Sequence, residues 1–247
     1  MLIKGDCLEE MDKLIADGVK VDAIITDIPY GTTKCSWDTI IPFEAMWERL
    51  NKLIKPNGAI VLFGSEPFSS ALRMSNIKNY KYDWYWNKTK PVGFLNAKKM
   101  PLKDVETISV FYKQLPTYNP QGTIAVEVIN NNSNKVKKHN NISGQNGGAM
   151  KTSHYKQTTS NYPRQVLKFS VENRQHPTQK PVALMEYLIK TYTNEGETVL
   201  DFTMGSGTTI LACKNTNRDF IGIEMDDKYF EIAKERINNS SKQKTLI

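Results

Sequence analysis

Apolar positions alternate between helical and strand spacing along the first third of the chain. Between Leu8 and Ile15 they have the spacing of one helical face, and Gly18 ends the predicted helix. The β-rich run at 21–26 follows and stops at the Asp-Ile-Pro-Tyr-Gly sequence of residues 27–31. The pattern therefore predicts a helix, a buried strand, and a loop at the carboxyl end of that strand.

A second helix and strand follow in the same order. Apolar residues at 43–54 mark the helix, the Lys-Pro-Asn-Gly sequence at 55–58 ends it, and residues 59–63 are a second buried strand. Helices that connect buried strands predict a parallel sheet.

Two further strands are predicted at 82–86 and 105–112, where β-branched and aromatic residues are frequent. The aromatic residues there include Trp84 and Trp86, which we assign to packing in the sheet rather than to base stacking.

Helix and strand spacing return in the last third of the chain. Pro181 opens a helix, residues 198–202 form a strand before a glycine loop and another helix, and residues 220–223 form a strand before the final helix. The fold class predicted is α/β, with a mostly parallel, doubly wound sheet of the Rossmann-like kind.

The character of the sequence changes between residues 118 and 175, where Asn- and Gly-containing stretches replace apolar periodicity. We predict an inserted region at 118–175, between the two halves, 1–117 and 176–247, of one domain. The region has two acidic and eight basic residues, so it holds six of the seven net positive charges. The basic residues are Lys135, Lys137, Lys138, Lys151, Lys156, Arg164, Lys168 and Arg174.

Composition narrows the class of protein. The length of 247 residues suits one substantial domain with an insertion, and the net charge of +7 favours a polyanionic partner. The longest apolar run, 59–63, is far shorter than a membrane span, so we expect a cytoplasmic protein without a membrane partner. The three cysteines and three histidines lack the spacing of a disulfide framework or a metal site, and we predict no metal.

A glycine-containing loop follows the strand at 198–202 and is the first candidate site. Gly205 and Gly207 would let a ligand approach the backbone at the N-terminus of the next helix. A dinucleotide fingerprint would need a third glycine where Ile210 stands, which disfavours a pyrophosphate-binding dehydrogenase. Glu224 ends the next strand, where its carboxylate could accept hydrogen bonds from both ribose hydroxyls. We therefore predict a ligand with an adenosine moiety.

The second candidate site consists of Asp27, Ile28, Pro29 and Tyr30, at the strand end where open α/β sheets bind substrates. The Asp27 carboxylate and the Ile28 carbonyl would accept hydrogen bonds from an exocyclic base amine. Such an amine is a poor nucleophile because its lone pair is delocalised, and two acceptors favour the pyramidal nitrogen that attacks a sulfonium methyl. Tyr30 would stack on a base flipped from the duplex, and Pro29 would rigidify the loop.

These motifs resemble, over nearly the whole chain, those of the permuted β group of DNA amino-methyltransferases of bacteria and phages. In that group the catalytic motif precedes the target-recognition region and the cofactor motif lies near the C-terminus. The sequence departs from the group's pattern at Ile28, where proline is usual, and at Phe202-Thr203, where Pro-Phe is usual. The residues that carry the resemblance are 5–7, 27–30, 63–66, 176–181, 201–209 and Glu224.

The resemblance implies S-adenosylmethionine as the cofactor and a circularly permuted methyltransferase fold. It implies that Asp6 contacts the adenine, that Asp201 and the backbone around Gly205 and Gly207 contact the methionine end, and that Glu224 contacts the ribose. The cofactor-binding residues so predicted are Asp6, Cys7, Asp201, Phe202, Thr203, Gly205, Ser206, Gly207, Thr208, Glu224, Thr178 and Lys180.

The resemblance also implies a substrate, the N6 amine of a flipped adenine in duplex DNA, with 118–175 as the target-recognition region. Its Lys and Arg residues would hold phosphates while amide and guanidinium groups read base edges. Cytosine N4 is the nearest alternative, although the group more often has Ser at the Asp27 position for cytosine. Methylation of RNA or of a protein amide, and DNA binding without catalysis, are further alternatives. The sequence leaves open a homodimer, a cognate restriction endonuclease and the recognition site.

Overall fold

The chain folds into two compact units. The larger unit consists of Met1–Asn119 and Arg164–Ile247, and the smaller unit of Pro120–Pro163. The structure is a computed structural model, and the residues that it describes are 1–31, 38–130, 155–171 and 179–243.

Strands and helices alternate along most of the larger unit. The strands, in chain order, are β1 (Leu2–Lys4), β2 (Val21–Thr26), β3 (Ile54–Gly64), β4 (Tyr80–Val92), β5 (Lys103–Phe111), β6 (Ile124–Asn130), β7 (Tyr155–Ser160), β8 (Val166–Phe169), β9 (Thr198–Asp201) and β10 (Asp219–Glu224). The helices are α1 (Cys7–Ala16), α2 (Phe43–Leu53), α3 (Phe68–Ser75), α4 (Val182–Tyr192), α5 (Thr208–Asn215) and α6 (Asp227–Gln243), with a 3₁₀ turn at Phe94–Asn96.

Eight of these strands form the sheet of the larger unit, in the order β1-β10-β9-β2-β3-β5-β4-β8. The first five strands in this order run parallel, β5 is antiparallel to both of its neighbours, and β8 is parallel to β4. The prediction of an α/β fold with a mostly parallel sheet is therefore confirmed.

Alternate residues of the central strands face two layers of helices. Ile24 of β2 and Leu62 of β3 belong to the core cluster that includes residues of α1, α2 and α3. Ile25 of β2 and Phe63 of β3 point the other way, into the cluster with α4 and α5. Because both faces of the sheet are covered, the central strands are nearly continuous apolar runs, which is why the sequence pattern identifies them.

Several boundaries differ from the sequence expectation. Strand β3 begins at Ile54, so residues 55–58, which we predict to end the preceding helix, belong to the strand. Strand β1 and helix α3 are not predicted, because three and eight residues are too short to establish a period. Trp84 and Trp86 are buried in the sheet, as predicted.

The smaller unit is built on the antiparallel pair of β6 and β7, in which Ile124 lies opposite Ser160. The Asn161 side chain donates a hydrogen bond to the Gly122 carbonyl at 2.6 Å and ties the ends of this pair together. The unit is shorter than the predicted 118–175 region, since β8 lies within that region but pairs with β4 of the main sheet. Among the helices that the structure describes, none has both the length and the apolar character that crossing a bilayer requires.

Candidate active site

A cavity of about 1060 Å³ opens in the larger unit where four neighbouring parallel strands end. Glu224 ends β10, Asp201 ends β9, Asp27 directly follows β2 and Ser65 directly follows β3, and all four line the cavity. Ligands of open α/β sheets bind at this edge. The loop of Gly205 lines the same cavity, so the two sites predicted from the sequence share one space.

Asp27 is held by two side chains from different parts of the chain. The Tyr30 hydroxyl donates a hydrogen bond to one of its carboxylate oxygens, and the Lys180 ammonium contacts the other. Burial raises the pKa of the Asp27 carboxyl, and the Lys180 charge opposes that effect. A carboxylate has about four lone-pair positions, so Asp27 retains capacity to accept a hydrogen bond from a substrate.

Lys180 connects Asp27 to a second carboxylate. Its ammonium lies 3.4 Å from Glu106, which in turn contacts the Lys88 ammonium. Burial lowers the pKa of Lys180, but the charges of Asp27 and Glu106 outweigh it and raise the pKa above its ordinary value. Lys180 therefore remains charged in the wall of the cavity, where it fixes the orientation of Asp27.

The loop after β2 is shaped by an aspartate that the sequence pattern did not single out. The Asp38 carboxylate accepts hydrogen bonds from the backbone N–H groups of Tyr30 and Gly31, at 2.8 and 2.9 Å. The Tyr30 ring packs 5.2 Å, centroid to centroid, from the Phe68 ring. The Ile28 side chain, at a position where proline is usual in the group that the sequence resembles, is buried in the core and anchors the loop. Its backbone carbonyl is retained.

Glu224 stabilises the glycine loop at the other end of the cavity. Its carboxylate accepts hydrogen bonds from the N–H groups of Gly205, at 2.9 Å, and of Asp226, at 2.8 Å. Burial raises the pKa of the Glu224 carboxyl. Gly205 adopts a φ of +50°, and a Cβ at this position would meet open space, so a ligand can approach the backbone here.

Asp201 links the glycine loop to β2. Its carboxylate accepts hydrogen bonds from the Thr26 hydroxyl at 2.6 Å and from the Thr203 N–H at 3.2 Å. Burial raises the pKa of the Asp201 carboxyl to about 6, although these hydrogen bonds oppose the rise. The Thr203 hydroxyl lies 3.2 Å from the Asp27 carbonyl and donates to it, so the two halves of the cavity are directly joined.

Gly207 has a structural part in the loop. Its φ is +76°, and a Cβ there would lie 2.8 Å from the Cβ of Ala233 in α6. Ser206 and Thr208 line the cavity, but Gly207 between them is not among the described residues that do so. Arg236, which the sequence pattern did not indicate, donates to the Ser206 carbonyl at 2.7 Å and holds this turn against α6.

Asp6 and Cys7 line the cavity near Glu224. The Asp6 carboxylate caps α1 by accepting hydrogen bonds from the Leu8 and Glu9 N–H groups, at 2.8 and 3.2 Å. Burial raises the pKa of the Cys7 thiol to about 12, so it remains protonated and is not a nucleophile.

Most of the predicted site residues therefore face one cavity. They are Asp6, Cys7, Asp27, Ile28, Pro29, Tyr30, Lys180, Asp201, Phe202, Thr203, Gly205, Ser206, Thr208 and Glu224.

Three of the eight predicted DNA-binding residues lie within the described part of the chain. Arg164 and Lys168 are exposed in the larger unit, on and beside β8. Lys156 belongs to β7 of the smaller unit. Five of the predicted DNA-binding residues and one predicted cofactor residue lie outside the described residues: Lys135, Lys137, Lys138, Lys151, Arg174 and Thr178. Within the described ranges, no group of three His, Cys, Asp or Glu residues is arranged to hold a metal ion.

Curated type II methyltransferases are similar to this chain over most of its length. The type II methyltransferase M.HpaI of Haemophilus parainfluenzae is 30% identical, over 89% of this chain and 68% of that protein. The type II methyltransferase M2.DpnII of Streptococcus pneumoniae is 27% identical, over 96% of this chain and 89% of that protein.

Solved structures share the fold. The M1.HpyAVI–SAM complex superposes with a TM-score of 0.67 and 31% identity, over 96% of this chain and 98% of that one. The cytosine-N4-specific PvuII DNA methyltransferase has a TM-score of 0.64 at 19% identity, over 95% of this chain and 85% of that one, and its likeness concerns the fold alone.

The family model described as DNA methylase, that of the N6/N4 methyltransferases, matches residues 21–235, which span β2 to α6 and both halves of the cavity. The resemblance drawn from the motifs is thereby confirmed. The chain belongs to the DNA methylase family of N6/N4 methyltransferases.

Proposed function

We propose that this protein methylates the N6 amine of adenine at specific sites in duplex DNA. The observation that carries the proposal is the meeting of Asp27, Tyr30 and the Gly205 loop in one cavity at the carboxyl edge of the sheet. The cofactor, S-adenosylmethionine, supplies an electrophilic methyl group on a sulfonium centre. The open space over Gly205 and the Glu224 carboxylate at the end of β10 fit the adenosine and methionine parts of that cofactor.

The side chains around Asp27 prepare the amine for attack. The Asp27 carboxylate and the Ile28 carbonyl accept the two N–H groups of the base amine and draw its lone pair out of conjugation. As the new N–C bond forms and the S–C bond breaks, the amine releases one proton, and the Asp27 carboxylate accepts it. Because Tyr30 and Lys180 already fix both oxygens of Asp27, no reorientation of the carboxylate is needed during transfer.

The base must leave the duplex to reach this site, because its amine is otherwise paired inside the stack. The wall around Asp27 includes Tyr30, whose ring supplies an aromatic surface for the extruded base. The cavity is large enough for a cofactor and a base together.

Adenine is favoured over cytosine by the carboxylate at position 27. In the group that the sequence resembles, serine is more frequent at this position in cytosine enzymes. The test is mass spectrometry of nucleosides from DNA incubated with the protein and S-adenosylmethionine. N6-methyladenine is the expected product, and N4-methylcytosine alone would overturn the choice of base.

The class of acceptor is tested in the same way. Incubation of the protein and labelled cofactor with DNA, RNA and a protein extract should label the DNA. Labelling of RNA or protein without DNA would replace the proposal by the corresponding alternative, and cofactor binding without any transfer would support a DNA-binding protein without catalysis.

We also propose a biological role for the reaction and a means of target recognition. The relatives are named type II methyltransferases, which supports a role in protecting DNA beside a cognate restriction endonuclease. The basic 118–175 region is proposed to recognise the target sequence, with its Lys and Arg residues on phosphates. Long-read modification mapping of DNA from expressing cells would give the recognition site, and light scattering of the purified protein would test a homodimer.

A further inference from the structure

The turn that connects β4 to β5 lies beside the cavity and has exposed apolar side chains. We call residues 92–103 the β4–β5 tip. The side chains at its summit, Phe94 and Leu95, are 81% and 101% exposed, and Met100 is 53% exposed. Large apolar side chains with this degree of exposure, adjacent in a single turn, indicate a contact surface rather than core packing.

The tip is an ordered turn. The Asn96 N–H donates to the Gly93 carbonyl at 2.9 Å, and the Met100 N–H donates to the Asn96 carbonyl at 3.0 Å. At its base, Val92 of β4 is in register with Lys103 of β5. Backbone hydrogen bonds within the turn and strand pairing at its base therefore fix the position of the summit. The side chains of Phe94 and Leu95 remain exposed there.

All charged residues within the tip are lysines, although Asp104 follows it directly and Lys88 before it is paired with Glu106. The sequence from Lys88 to Lys103 contains five lysines and no acidic residue, and Lys90, Lys98, Lys99 and Lys103 are exposed. Protein–protein interfaces are depleted in lysine, whereas phosphate backbones attract it. An apolar summit among lysines thus fits a nucleic acid better than a protein partner.

The tip is continuous with the cavity that takes the base. Val92 and Lys103 at its base line the cavity, together with Lys88. A base that leaves the duplex opens a gap between apolar base faces, and proteins that distort DNA often fill such a gap with an apolar wedge. A wedge beside the pocket would act where the base departs.

We infer that the β4–β5 tip contacts the DNA duplex, with Phe94 and Leu95 entering the stack next to the target base and the neighbouring lysines binding phosphates. This inference rests on the proposed function, since it needs a base that leaves the duplex. It adds to the proposed 118–175 recognition region a second DNA contact, which promotes extrusion of the base rather than reading of sequence.

The test compares Phe94→Ala/Leu95→Ala with a control, Met74→Ala/Ile77→Ala, which removes two similarly exposed apolar side chains from outside the cavity wall. Single-turnover methylation is measured on a paired duplex with the mapped site and on one with an abasic position opposite the target base. The tip variant should be slower by about tenfold or more on the paired duplex and within about threefold of wild type on the abasic one, where extrusion costs less.

Several outcomes would overturn the inference. Wild-type rates for the tip variant on the paired duplex would do so, as would an equal loss on both duplexes or an equal loss in the control. If the wild-type protein transfers no methyl group to any DNA, the proposed function fails instead, so the two failures are distinct. Calorimetric binding of S-adenosylmethionine by the tip variant should be unchanged and shows that the fold is intact.

The contribution of the lysines is tested separately, by the salt dependence of the affinity for DNA. Lys98→Gln/Lys99→Gln should reduce the slope of log affinity against log salt by about 2, because each lost phosphate contact removes about one unit. The control Lys78→Gln/Lys113→Gln changes two exposed lysines outside the cavity wall and should leave the slope unchanged. An unaltered slope in the Lys98/Lys99 variant would show that the tip does not bind phosphates.

Discussion

Lys180 is a positioning residue whose ammonium lies between two carboxylates, and its removal would change the proton affinity of Asp27. Lys180→Met leaves Asp27 and Glu106 buried without their shared cation, so the pKa of Asp27 should rise further. Because the reaction needs the carboxylate form, the pH profile of single-turnover methylation should move to higher pH, with partial recovery of rate there.

Lys88→Met is the matched control for this change, since Lys88 contacts Glu106 and its loss leaves the contact between Lys180 and Asp27 in place. Its pH profile should move much less than that of Lys180→Met. A uniform loss of rate at all pH values in Lys180→Met would show that the lysine acts only through the stability of the fold.

If Asp201 contacts the methionine end of the cofactor, as we propose, cofactor binding should depend on pH. Its pKa is raised to about 6, and the carboxylate form is the one that would attract the cationic methionine end of the cofactor. The affinity for S-adenosylmethionine should therefore level off as the pH rises well above 6, and fall by up to about tenfold per pH unit well below it. Asp201→Asn should bind weakly without that dependence. Isothermal titration at several pH values measures both, and an unchanged pH dependence in the variant would exclude Asp201.

At the residue scale, the sequence predicts those groups that adjoin a recognisable strand end. Asp27, Asp201 and Glu224 each directly follow or end a buried strand, and the structure brings them to one cavity. Asp38 and Glu106 were not predicted. Asp38 contacts a loop that has no hydrophobic periodicity, and the Lys180 partner of Glu106 is distant in the chain. The antiparallel pairing of β5 with β4 places Glu106 opposite Trp86 and within reach of Lys88, which it contacts.

At the scale of elements, the two glycines of the loop after β9 have different roles, although they belong to one sequence motif. Gly205 faces open space, whereas Gly207 packs against α6. Gly205→Ala should lower the free energy of unfolding by only about 1 to 2 kcal/mol, from its positive φ. Gly207→Ala should lower it by about 2 to 5 kcal/mol, because the methyl group also overlaps Ala233. Urea unfolding without cofactor checks this order, and equal losses would contradict it.

Two of the strands that escaped prediction share a cause. Strands β1 and β8 have three and four residues and acquire their structure by pairing with β10 and β4. Such short segments have no period that could distinguish a strand from a loop. Central strands β2 and β3 were predictable because burial on both faces requires unbroken apolar sequence.

At the scale of the whole molecule, every described residue that lines the cavity belongs to the larger unit, and the smaller unit is a compact unit of its own. Replacement of Pro120–Pro163 by a short Gly-Ser linker should therefore leave the affinity for S-adenosylmethionine within about threefold of wild type, because the core of the larger unit is retained. Site-specific methylation should be lost, since most of the proposed 118–175 recognition region is removed. Methylation of the mapped site at the wild-type rate would contradict that role.

The central claim is that Asp27 acts on the base amine rather than on the cofactor or the fold. Its carboxylate lies in the cavity wall between Tyr30 and Lys180, while the cofactor loop is held by Glu224 and Asp201. Removal of the carboxylate should therefore separate transfer from cofactor binding.

The most direct measurement is single-turnover methylation of the mapped duplex by Asp27→Ala, with calorimetric binding of S-adenosylmethionine by the same preparation. We predict a rate at least about 10²-fold to 10³-fold below wild type, with cofactor affinity within about threefold. An unchanged rate, or a rate that falls only as far as cofactor binding weakens, would contradict the assignment of Asp27.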